Sequence, residues 1–184
     1  MSFWIVVTIL VVLAVYAIAI FNGLVAKRNR VKNAWSQIDV QLKRRHDLIP
    51  NLVNAVKGYL QHEREVVENV TRARQQAIAA GSDVTARAAA ENMLTQAVRS
   101  LFAVAEAYPE LKSNQNMLAL QEELSSTENK VAFARQFYND SVMEYNTACE
   151  SFPGNFLANT FSFVPESLFA LEAAAERAVP QVQF

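Results

Sequence analysis

Only one cysteine, two histidines and four glycines occur among the 184 residues, and each shortage removes a class of function. A lone Cys149 cannot close an intrachain disulfide, and no cysteine stands near the N-terminus to take a lipid. Cys149 falls where a helix C-terminus is expected, and the negative end of the helix dipole disfavours a thiolate there. A small unreactive thiol is the reading. His46 and His62 are too few for a zinc site, and neither belongs to a Glu-x-x-His motif of the kind that di-iron bundles use. No H-E-x-x-H, no G-x-x-x-x-G-K-[ST] and no G-x-G-x-x-G is present. With so little glycine a phosphate-cradling loop is hard to build. No catalytic residue, metal ligand or cofactor is expected. Glycine and proline are both scarce, while alanine, leucine, glutamate, glutamine and arginine abound, and this composition favours long helices over a sandwich or barrel.

What the chain does have is one uninterrupted apolar run. Phe3 to Phe21 reads FWIVVTILVVLAVYAIAIF, without a charge. At about 1.5 Å per residue a helix of this length measures roughly 28 Å, close to the ~30 Å hydrocarbon core of a bilayer. A cleavable signal peptide would need a basic stretch before it and a shorter apolar run; Ala17 and Ala19 do supply an A-x-A, but the rest of the pattern is missing. A membrane anchor over residues 1–23 is therefore expected.

Charge is distributed unevenly behind that anchor. Between Lys27 and Pro50 lie seven basic and two acidic residues, a net charge of +5, and the remainder of the chain carries −6. Lys27, Arg28, Arg30 and Lys32 form a basic collar just beyond the run. By the positive-inside rule the collar places the N-terminus outside and the main domain in the cytoplasm. Attraction to anionic lipid headgroups supports the same placement. Nothing else resembles a nucleic-acid module, so membrane lipids and not nucleic acid are the expected partners.

Helical periodicity organises residues 24–151. Val31, Trp35, Ile38, Leu42 and Ile49 share one face, so the membrane helix is expected to continue into the domain, as far as a kink or interruption at Pro50. A second helix is expected over about residues 51–80, ended by Gly81-Ser82-Asp83, and a third over about 84–107, stopped by Pro109. The fourth begins near Ser113 or Asn114 and reaches Glu150. Met117, Leu120, Leu124, Val131, Tyr138, Val142 and Tyr145 trace its core stripe, with Phe133 and Phe137 widening it.

Two further features stand out. Polar residues interrupt the apolar patterns: Arg44, Arg45, Asp47 and Asn51 around Pro50, and Glu128, Asn129, Arg135, Asn139 and Asp140 on the fourth helix. They read best as a structural network that satisfies freed backbone groups and bridges helices; a ligand-sensing site is the alternative. Residues 152–184 form an aromatic tail, in which Phe152, Phe156, Phe161, Phe163, Phe169 and Phe184 are six of the 11 phenylalanines. Such a tail must be covered, by its own bundle, by a neighbouring subunit or by the bilayer surface.

Several separated segments together resemble one family. RRHDLIPNLV at residues 44–53, AYPELKSN at 107–114 and STENKVAFARQFYNDSVMEYNT at 126–147 are similar to the LemA family of bacterial membrane proteins, as are the collar region and the Phe-Pro after the fourth helix. His46 departs from the usual aromatic after the paired arginines. The resemblance implies an all-α protein in which an N-terminal transmembrane helix continues into an elongated antiparallel bundle of about four helices. It implies no enzymatic activity and supplies no catalytic or ligand residues. A related branch, MamQ, is associated with magnetosome membranes. The expected function is a non-enzymatic membrane-anchored scaffold or adaptor that forms homo-oligomers and meets other membrane proteins. The alternatives are a membrane-shaping, lipid-organising role and a ligand sensor.

Overall fold

The computed structural model describes residues 2–60 and 63–169. Six α-helices and no strands occur among them: α1 (Ser2–Lys57), α2 (Arg64–Ala79), α3 (Val84–Ala105), α4 (Pro109–Lys112), α5 (Gln115–Glu150) and α6 (Gly154–Thr160). The protein is all-α, and its first helix alone is long and apolar enough, among the described residues, to cross a membrane.

α1 is a single helix of 56 residues. Its pattern changes along its length for a physical reason. From Phe3 to Phe21 the side chains, Thr8 apart, are apolar on every face and largely exposed, as suits hydrocarbon on all sides. From Leu24 onward one face is buried: Leu24, Val31, Ala34, Ile38, Leu42, Ile49, Leu52 and Val56 return at helical spacing.

Pro50 lies inside this helix and does not end it. Proline has no N–H to give the carbonyl four residues earlier, which leaves the carbonyl of His46 without its helical donor. Arg74 on α2 supplies the replacement: its Nε donates to the His46 carbonyl oxygen at 2.7 Å. The helix break comes instead at Gly58, after which α2 starts afresh at Arg64. The expected second helix over 51–80 is thus two pieces, the first of them the end of α1.

The structure divides into two compact units. The first comprises residues 2–39 and 133–168. In it the collar of α1 and the turns after it pack on the C-terminal half of α5, with Trp35 against Tyr138 at 5.3 Å between ring centroids. Leu24, Val31, Ala34, Ile38, Tyr138, Val142, Tyr145, Cys149, Ala158 and Phe163 are buried there. Gly154 opens α6 against α5. A Cβ at this position would overlap the carbonyl oxygen of Ala148, so the close approach requires glycine.

The second unit comprises residues 40–132 with Phe169. Leu48, Ile49, Leu52 and Val56 of α1, Val70, Ala73 and Ala77 of α2, Leu94, Val98 and Leu101 of α3, Leu111 of α4, and Met117 and Leu124 of α5 form one continuous core. α2 and α3 pack on each other through the turn at Gly81, whose φ of +66° is the left-handed conformation that glycine adopts without penalty. Asp83 then caps α3, its carboxylate accepting from the Ala86 N–H at 2.7 Å.

Candidate functional site

Polar side chains gather in two places, one in each unit. In the second unit α1 and α3 each carry one charged residue on an otherwise apolar stripe. Arg45 lies between Leu42 and Ile49; Glu91 precedes Leu94, Val98 and Leu101. Arg45 and Glu91 are each 2% exposed. Arg45 Nη1 meets Glu91 Oε2 at 3.4 Å, and its Nη2 donates to Thr95 Oγ1 at 2.7 Å and faces Glu128 Oε2 at 3.4 Å. His46 Nε2 lies 2.7 Å from Glu91 Oε1. Thr95 Oγ1 also reaches Glu128 Oε1 at 3.3 Å.

Each buried charge in this cluster therefore has a partner, which is what the desolvation cost of a buried ion demands. The cluster joins α1, α3 and α5, while the Arg74–His46 bond ties α2 to the same turn of α1.

Sequence reasoning singles out Arg45 and Glu128, and the structure brings them together. It does not gather the other named residues there. Arg44 points outward to Glu123 at 2.8 Å. Asp47, Asn51, Asn129 and Asp140 are exposed, and Arg135 and Asn139 are half-buried on the stretch of α5 that belongs to the first unit. Glu91, His46, Thr95 and Arg74 are the partners that sequence reasoning missed. For Glu91 a signal existed: an acid at the register of Leu94, Val98 and Leu101 sits on a core stripe and must find a base.

The second polar cluster holds a middle stretch of the aromatic tail. After a turn at Phe161 and Ser162, residues 163–168 run without regular secondary structure along α5. Tyr145 Oη donates to the Val164 carbonyl at 3.1 Å and Tyr138 Oη to the Ser167 carbonyl at 2.9 Å. Asn146 holds Glu166 from both sides: Nδ2 donates to its carbonyl and Oδ1 accepts from its N–H, each at 2.9 Å. The three side chains lie at i, i+7 and i+8, one face of the helix. Burial, followed by the nearby Glu166 carboxylate, raises the Tyr138 phenol to about 12. Burial, followed by the hydrogen bond with Cys149, raises Tyr145 to about 12. Burial likewise pushes the Cys149 thiol up, so it is a poor nucleophile. Among the described residues no three His, Cys, Asp or Glu side chains are grouped as a metal site.

The collar belongs to the first unit. Lys27 and Arg30 both face Glu144, at 3.6 and 3.0 Å. Arg28 lies over the ring of Phe163 at 5.0 Å and Arg30 over that of Phe137 at 5.5 Å. Lys32 is exposed. Of the six tail phenylalanines, Phe163 and Phe169 are buried, whereas Phe152, Phe156 and Phe161 are 87, 72 and 55% exposed. Phe184 lies outside the described residues.

Comparison with known proteins places these features in a family. The LemA family model matches residues 34–184. Protein LemA of Metamycoplasma hominis is 24% identical over 80% of this chain and 68% of its own length. Magnetosome protein MamQ of Magnetospirillum gryphiswaldense is 22% identical over 88% of this chain and 70% of its own. With its family match running from Ala34 to Phe184 behind an apolar helix long enough to cross a bilayer, this membrane-associated chain belongs to the LemA family.

Proposed function

We propose that the protein is a non-enzymatic, membrane-anchored helical scaffold that self-assembles at the bacterial cytoplasmic membrane, with its N-terminus outside and its helical domain in the cytoplasm. The observation that carries this reading is the 56-residue α1. The segment that enters the membrane is the same helix that supplies core residues to both units, so the domain is held to the bilayer without a flexible linker. The buried polar residues support the same reading, because Arg45, His46 and Glu91 are spent on joining helices. The names of the relatives carry no enzymatic activity. Exposed Phe133 and Met143 on α5 offer apolar contact to a second copy or to another membrane protein. The collar fixes orientation through its positive charge.

Sedimentation of the detergent-solubilised full chain tests this reading. A defined oligomer is expected. A single monomeric species for the full chain would overturn it.

A further inference from the structure

The stretch from Ser151 to Pro165 holds no Asp, Glu, Lys or Arg, and it is the longest charge-free segment after the membrane run. It contains α6 and four phenylalanines. A solvated helix end does not need such a composition. The burial pattern is also divided: Ala158 and Phe163 face the first unit, whereas Phe152, Phe156, Phe161 and Val164 face outward, at 87, 72, 55 and 69% exposure.

The register of α5 on α1 fixes where this patch sits. Trp35 packs on Tyr138, and Lys27 and Arg30 both reach Glu144. The two helices are antiparallel, and at a common rise of about 1.5 Å per residue the end of α5 comes level with the stretch around Gly23. Ring contacts confirm the level directly. Phe21, the last residue of the apolar run, lies 4.9 Å from Phe161 and 5.6 Å from Phe163. The outward phenylalanines therefore stand beside the point where α1 leaves hydrocarbon, with Arg28 about two turns further along α1 and over Phe163. Aromatic rings beside basic side chains at that depth suit the headgroup–acyl boundary, where rings bury apolar area and cations meet anionic headgroups.

We infer that Phe152, α6 and Phe161 form an interfacial membrane contact, which dips into the lipid of the bilayer that α1 crosses. This goes beyond the scaffold reading and does not depend on it, since a monomer would make the same contact. The occupant is lipid and not a second copy because the patch is continuous, through Phe21, with the face of α1 that lipid must cover. Its effect is to fix the tilt and rotation of the anchored domain, which a single span leaves free.

A nitroxide depth measurement on the full chain tests the inference. In a Cys149→Ala background, Phe156→Cys and, separately, Gln136→Cys carry the label, in phosphatidylethanolamine–phosphatidylglycerol bilayer discs. Both positions are exposed, so neither label disturbs the core. The expected result is a ratio of oxygen to nickel-chelate accessibility several-fold higher at 156 than at 136. Equal ratios would overturn the inference, and so would low access to both reagents at 156 with dipolar broadening, which would mark contact with a second copy. The aggregation state of the labelled protein is read separately, so failure here leaves the scaffold reading intact.

Discussion

At the residue scale, the Arg74–His46 bond shows how α1 tolerates a proline. A buried carbonyl left without a donor costs about 1–3 kcal/mol, so Arg74→Ala is expected to destabilise by that amount. In a Pro50→Ala background residue 50 regains its N–H, and the same Arg74→Ala change is expected to cost much less. Thermal unfolding of the four proteins of this cycle measures the difference, and equal costs in both backgrounds would refute the account. Glu91 is more sensitive still. Glu91→Ala takes the buried acid from His46 and leaves Arg45 with Glu128 and Thr95 alone, with an expected loss of about 3 kcal/mol by the same measurement. Gly154→Ala places a Cβ against the Ala148 carbonyl and is expected to cost about 1–3 kcal/mol through overpacking.

At the element scale, much of the helical order is legible in the sequence, because periodicity and turn chemistry act locally. The stripe from Met117 to Tyr145 and the Gly81–Asp83 turn needed no tertiary information to be read, but Phe133, expected to widen that stripe, is 73% exposed because its position faces away from the packed side of α5. The end of α1 was not legible in this way. Pro50 looks like a breaker on local rules, and only a side chain 24 residues further on, Arg74, overrides it. The stripe position of Glu91 was legible but its partners were not, for the same reason: Arg45 and His46 lie 46 and 45 residues away.

The tail clamp leads to a prediction in pH. Two phenols raised from 10.0 to about 12 are protonated in the fold when they would ionise in the unfolded chain. Their contribution is complete below about pH 10 and is lost as pH rises through about 12. The unfolding temperature is therefore expected to fall across that interval, and the paired Tyr138→Phe and Tyr145→Phe changes to flatten the fall. An unchanged slope in the paired variant would show that the clamp does not titrate in this range.

At the scale of the whole molecule, the account turns on α1 acting as anchor and scaffold together. Two glycines inserted after Val25 should uncouple the membrane segment from the domain, at about 1 kcal/mol of helix propensity each. Assembly is expected to weaken although the protein still reaches the membrane. Unchanged assembly would mean that the span only localises the domain. The most direct measurement of the central claim is crosslinking of the tagged full chain within native membranes, before any detergent is added. The scaffold account predicts a discrete ladder ending in one defined multimer of this chain. A chain that stays monomeric at all crosslinker concentrations would contradict it.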